Sequence, residues 1–144
     1  MFKHILLATD GSPSSEHAAQ MAIGLSRSHG AQLTVVFVAD PFPYMGIGEM
    51  NPLGYQAYTA AAQEVSARAF THVAELAAEA GVGMQARLVE NVQAHKGVLQ
   101  VAQDEAVDLI VVGSHGRSGI ERLVMGGVAH KIVAQSTRPV LVAR

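Results

Sequence analysis

Short apolar runs alternate along this chain with longer stretches whose apolar residues recur at helical spacing, and that alternation limits the possible folds more than any other feature. Residues 5–8 form an apolar run ended by Asp10-Gly11-Ser12. Pro13 follows, which marks Ser12 as an N-cap and Pro13 as the first helical residue. Ala18, Met21, Ala22 and Leu25 then fall on one helical face, and Gly30 is a natural stop. Residues 33–39 are apolar and β-branched apart from Thr34 and read as a buried strand. An Ala-rich helix is expected over about 55–80, closed by Gly81, with Val65, Ala69, Val73, Leu76 and Ala80 on its apolar face. Met84, Ala86 and Leu88 alternate with Gln85 and Arg87, the pattern of a half-exposed edge strand. A short helix over about 96–105, a buried strand over 109–112, a last helix over about 127–135 and a strand at 140–142 complete the series. Strands alternating with helices predict a parallel sheet covered on both faces.

The chain has 144 residues, enough for one domain spanning 1–144 and for a core that needs no covalent staples. Aromatic residues are only 5% while apolar residues are 49%, so the core is built from Ala, Val, Leu and Ile, as in helices packed on parallel strands. Cysteine is absent, which excludes disulfides and thiol catalysis. The formal charge of -2 gives no basic surplus for nucleic acid, and no apolar run reaches membrane-spanning length. The apolar run near the N-terminus is too short for an export signal, so the expected location is the cytoplasm. Residues 40–54, with Pro41, Pro43, Pro52, Gly46, Gly48 and Gly54, read as an irregular loop within the domain. Its Met45, Ile47 and Met50, with Leu53, are expected to cover a ligand or a partner subunit.

In an open parallel sheet, ligands bind past the carboxyl ends of the strands, where strand order reverses. Two segments meet that description. Asp10-Gly11-Ser12 follows the first strand, and Gly113-Ser114-His115-Gly116-Arg117-Ser118-Gly119 follows the fourth. Glycines let backbone N–H groups come close to an anion. Ser114 and Ser118 add hydroxyls, Arg117 adds a cation, and His115 is a candidate phosphate contact. Gly126-Gly127 precedes the last helix, whose first amides, on Gly127, Val128 and Ala129, would point at the same place. Together these form a phosphate cradle; the same glycines would also serve tight turns with no ligand. The histidines at 4, 17, 29, 72 and 95 show no metal-ligand spacing.

Gly113-x2-Gly116-x9-Gly126 resembles the phosphate-loop spacing of the nucleotide-binding universal stress proteins. The opening Ile5-Leu6-Leu7-Ala8-Thr9-Asp10-Gly11-Ser12, the segment Asp108-Leu109-Ile110-Val111-Val112-Gly113 and the segment Arg138-Pro139-Val140-Leu141-Val142 are also similar to that family, in the same order and across essentially the whole chain. The resemblance implies an open five-stranded parallel sheet of order 3-2-1-4-5, Rossmann-like and similar to the adenine nucleotide alpha hydrolases. Two helices are expected on each face.

It also implies a site. Ala8, Thr9 and Asp10 would line the nucleoside side, and the Val38 backbone would face adenine. Residues 113–119, then Gly126, Gly127, Val128 and Ala129, would wrap ribose and phosphates. On the residues alone, Val38 could equally be core, and Asp10 could equally be a helix cap. The ligand implied is ATP, AMP or ADP, with Mg2+ as a candidate companion. A homodimer is implied too, formed through Val140-Leu141-Val142, an apolar edge that nothing later in the chain covers. One position departs from the motif: Gly127 stands where the family has Ser or Thr, a loss of one hydroxyl donor worth ~0.5–1.5 kcal/mol. The motifs of Walker A loops, adenylyl-transferring pyrophosphatases, His-x-Gly-His nucleotidyltransferases and response regulators are missing. The expected role is therefore nucleotide binding in stress response or signalling. The alternatives are a scaffold without nucleotide and a slow ATPase using Arg117, for which no general base is evident.

Overall fold

Strands β1 (His4–Ala8), β2 (Gln32–Ala39), β3 (Met84–Glu90), β4 (Leu109–Gly113) and β5 (Val140–Ala143) form one parallel sheet in the order β3-β2-β1-β4-β5. This computed structural model describes residues 1–40, 52–115 and 126–144. A short 3-10 turn (Pro13–Ser15) leads into α1 (Glu16–His29); α2 (Pro52–Glu79), α3 (Ala94–Asp104) and α4 (Gly127–Gln135) make the other crossovers. The order and the two-sided cover are those the sequence predicts.

The sheet's residues alternate between two cores. Ile5, Leu7, Leu33, Val35 and Val111 point to α1 and α2, where they meet Ala18, Ala22, Val73 and Ala77. Leu6, Val36, Ile110 and Val112 point to α3 and α4, where they meet Val98, Val101, Ala129 and Ile132. Ile5, Leu6, Leu7, Val35, Val36, Ile110 and Val111 are all 0% exposed, which is why the central strands read as unbroken apolar runs. Each such side chain contributes roughly 1.5–3 kcal/mol relative to leaving it in water.

Helix ends follow the expected glycines. Gly30 takes φ +63 and Gly81 φ +72, the left-handed conformation that ends a helix without a Cβ clash. Ser12 is the N-cap of the turn that starts at Pro13, although its side chain makes no capping bond there. Helix α2 begins at Pro52, earlier than the sequence suggests, and α3 begins at Ala94. Strand β3 is an edge, as expected, but the face that carries Met84, Ala86 and Leu88 is poorly covered: Leu88 is 42% exposed. The half-buried residues further along this strand are Arg87 and Val89. Met45, Ile47 and Met50 lie outside the described residues, and Leu53 is exposed. Among the described residues, no helix is long and apolar enough to cross a membrane.

Candidate functional site

The connections around β1 create the reversal of strand order. The chain moves from β1 to β2 and β3 on one side, then crosses back to β4 and β5 on the other. In register, Ala8 of β1 lies beside Val36 and Val112. Strand β2 continues to Ala39 and β4 to Gly113, so both outrun β1. A crevice opens above the end of β1 as a consequence.

A cleft open to solvent occupies this position. Its floor is Ala8, Thr9, Val36 and Val112, and its rim includes Asp10, Gly113 and His115. Val38 lines one side, with Ala94 and Val98 from the first turns of α3, and Val128 from the start of α4 closes the other. The lining is mostly apolar with a few polar groups at the rim, the usual build of a small-molecule pocket.

Local hydrogen bonds hold the rim in shape. The Asp10 carboxylate accepts from the Ser12 amide at 2.9 Å and from the Ser12 hydroxyl at 2.5 Å. The Gly11 amide donates to the Thr9 hydroxyl oxygen at 3.2 Å, which in turn donates to Ser15 at 3.3 Å. Gly11 has φ +76, and a Cβ there would meet the Ala69 Cβ at 3.3 Å, so a glycine is needed for this turn. Asp10 thus borders the cleft and organises the turn into the 3-10 segment, whose N-cap is Ser12. Ser14 donates to the His115 carbonyl at 3.1 Å and ties the turn after β1 to the segment after β4.

The segments after β4 sort differently. The Ser114 amide donates to the Ala143 carbonyl at 2.8 Å, and the Ser114 side chain, 4% exposed, pairs with His115 Nδ1 at 2.8 Å. Ser114 is not among the lining residues of the cleft and reaches it through His115. Gly126 donates its amide to the Ser114 carbonyl at 2.5 Å and is the N-cap of α4. Its φ of -61 and ψ of 156 are open to any residue, so no glycine conformation is required there. The first bond along α4 runs from the His130 amide to the Gly126 carbonyl. The amides of Gly127, Val128 and Ala129 precede it, the positions where a helix lacks internal acceptors. Ala129 itself is buried in the core, and Gly127 is exposed, with no atom of the described residues within 4 Å of a Cβ placed on it. Gly116, Arg117, Ser118 and Gly119 lie outside the described residues.

The cleft thus brings together Ala8, Thr9, Asp10, Val38, Gly113, His115 and Val128 from the predicted set. It adds Val36, Val112, Ala94 and Val98, which no motif marked. Beside Ala94, His95 is 4% exposed; burial, and then the charges of Lys131 and Lys96, hold its pKa below the usual imidazole value. Among the described residues, no three His, Asp or Glu side chains converge as a metal site would need.

A doubly wound α/β sheet with a switch-point cleft of this kind defines a class of nucleotide- and cofactor-binding folds. The chain belongs to the universal stress protein family, whose sequence profile matches residues 1–144. It is 35% identical over 144 residues to a universal stress protein of Thermus aquaticus, covering 100% of both chains. It is 30% identical to one of Methanocaldococcus jannaschii, covering 100% of this chain and 83% of that one. Its fold is similar to that of UspA from Lactobacillus plantarum, with TM-score 0.87 and 21% identity over 99% of this chain and 98% of that one. A universal stress protein solved in complex with cAMP matches with TM-score 0.72 and 23% identity, covering 99% and 97% of the two chains. One from Archaeoglobus fulgidus in complex with dAMP matches with TM-score 0.70 and 16% identity, covering 99% and 98%.

Proposed function

We propose that this chain, as one domain over residues 1–144, binds an adenine nucleotide in the cleft above β1 and acts as a stress-response or signalling regulator in the cytoplasm. The observation that carries the reading is the cleft itself, which gathers Ala8, Thr9, Asp10, Val38, Gly113, His115 and Val128 where strand order reverses. The apolar floor suits a base. The start of α4 suits phosphates, because its first amides and the helix dipole both favour an anion. Solved relatives with cAMP and with dAMP support the ligand class. Gly116, Arg117, Ser118 and Gly119 complete the phosphate loop in this reading, and ATP, AMP and ADP are all candidates. Mg2+ would accompany the phosphates, with Asp10 the acidic residue at the rim.

The reading includes a homodimer. The outer edge of β5 pairs with no strand among the described residues, and an apolar parallel-sheet edge favours pairing with a second copy. A second reading, a dimeric scaffold without nucleotide, draws on Gly127 in place of a hydroxyl residue. Titration of nucleotide-stripped protein with ATP, AMP and cyclic AMP separates the two. Saturable micromolar or tighter binding of any one supports the first. No binding of all three at millimolar concentration leaves the scaffold.

A further inference from the structure

The base-side wall of the cleft is made by a helix that no phosphate motif touches. Ala94, Gly97, Val98 and Val101 lie at helical spacing on one face of α3. Ala94 and Val98 line the cleft, and Gly97 is buried behind them against β2. A Cβ built on Gly97 would lie 2.9 Å from both Cγ atoms of Val38 and 3.4 Å from a Cγ of Val89. Real Cβ atoms do not approach carbon that closely, so one of the neighbours would have to shift. Val89 and Val38 are register partners in the β3-β2 ladder, which fixes the Val38 backbone. Val38 is β-branched, so its side chain has few alternative rotamers. Val38 borders the cleft, so a shift away from residue 97 can carry it into that space.

We infer that Gly97 and Val38 form a coupled pair that determines specificity at this site: the missing side chain at 97 keeps Val38 withdrawn and leaves the cleft wide enough for a purine. The inference rests on the nucleotide reading above and deepens it. It assigns base selection to the contact between α3 and β2, with phosphate recognition left to the segments after β4. Gly97 acts through Val38 and is a positioning residue, while Val38 borders the base directly.

The test compares ATP with UTP, which share the phosphates and differ in the size of the base. Wild type, Gly97→Val, Val38→Ala and the double variant are titrated with each nucleotide, and each protein's melting curve is recorded first. Gly97→Val should weaken ATP binding tenfold or more while weakening UTP binding less than threefold. Adding Val38→Ala should bring ATP affinity back to within threefold of the Val38→Ala single variant. Should Gly97→Val fail to fold, Gly97→Ala carries the same test with a shift in the ATP-to-UTP ratio of about threefold. Equal losses for both nucleotides, or no change in either, overturn the inference and leave Gly97 a packing residue alone. Failure of wild type to bind either nucleotide overturns the nucleotide reading first, and this inference with it.

Discussion

At the amino-terminal rim of the sheet charged side chains meet one another, whereas at the carboxyl-terminal rim β1 and β4 end in small residues and run into turns that carry hydroxyls. Glu105 caps the far end of α3, where a carboxylate is disfavoured by the helix dipole. It is held there by three strands. Arg87 of β3 donates to one oxygen at 2.5 Å, and Thr34 of β2 donates to the other at 2.8 Å. His4 of β1 bonds Thr34 at 2.8 Å and lies 3.5 Å from Glu105. Nearby, Asp108 accepts from the Lys3 and His4 amides at 2.8 and 3.2 Å. These polar groups satisfy one another inside the fold. At the opposite rim, hydrogen bonds shape backbone turns around an open cleft. The difference separates two features of one sheet: its amino rim ties strands to α3, and its carboxyl rim holds an open cleft. Variants at the two rims should therefore fail in different ways.

The largest effect is expected from Gly126→Val. The backbone angles at Gly126 suit any residue, so the protein should fold, with at most about 1 kcal/mol lost from a poorer helix cap. Nucleotide affinity should fall at least a hundredfold, about 2.7 kcal/mol, because a branched side chain would stand where the phosphates approach the start of α4. Calorimetric titration with ATP checks it. Unchanged affinity would place the nucleotide elsewhere and collapse the contrast between the rims.

Glu105→Ala should show the reverse pattern. It leaves the fully buried Thr34 hydroxyl and the half-exposed Arg87 without their shared acceptor. A loss of about 2 kcal/mol in urea unfolding is expected, after allowing for the solvent that screens Arg87. Affinity for ATP should stay within threefold of wild type. A large loss of affinity with little loss of stability would mean that the amino rim controls the site through α3.

The next residue along offers a gain at the same rim. Ala106 follows the cap of α3 with φ +51, a left-handed conformation that L side chains other than Asn and Asp rarely adopt. Ala106→Gly removes that strain, partly offset by the greater freedom of glycine in the unfolded chain. Net stabilisation of about 1 kcal/mol is expected from the same unfolding curves. No gain would show that the strain is relieved elsewhere in the turn.

This rim was the part of the molecule least legible in the sequence. Glu105 is separated from Thr34 by 71 residues, and no local pattern links them. The same network explains why β3 disappoints a simple alternation: Arg87, read as a solvent-side residue, is drawn into an ion pair, while Leu88 on the other face lacks cover. The central strands were legible because burial on both faces leaves them unbroken apolar runs, and the helix ends because Gly30 and Gly81 sit at left-handed positions. At the carboxyl rim, the residues after β1 and β4 announced themselves through glycines and hydroxyls. The α3 wall did not, since Ala94, Gly97 and Val98 act by helix packing and belong to no loop motif. Ser114, marked as a phosphate donor by its place in the loop, has its hydroxyl paired with Nδ1 of His115 at the cleft rim.

The smallest effect, and the finest probe of the carboxyl rim, is Gly127→Ser. The position is exposed, and a Cβ built there meets nothing within 4 Å among the described residues, so the side chain can be added without displacing any of them. Gly126, not Gly127, is the N-cap of α4, so serine at 127 occupies the first helical position and gains nothing as a cap. Any gain in affinity must then come from its hydroxyl reaching the ligand. One neutral hydrogen bond is worth up to ~1 kcal/mol, a few-fold in affinity. Titrations of wild type and variant with ATP and with AMP locate that bond. A gain for ATP alone places the hydroxyl near the outer phosphates, and an equal gain for both places it near the first. Weaker binding of both nucleotides would mean that the start of α4 does not face the phosphates.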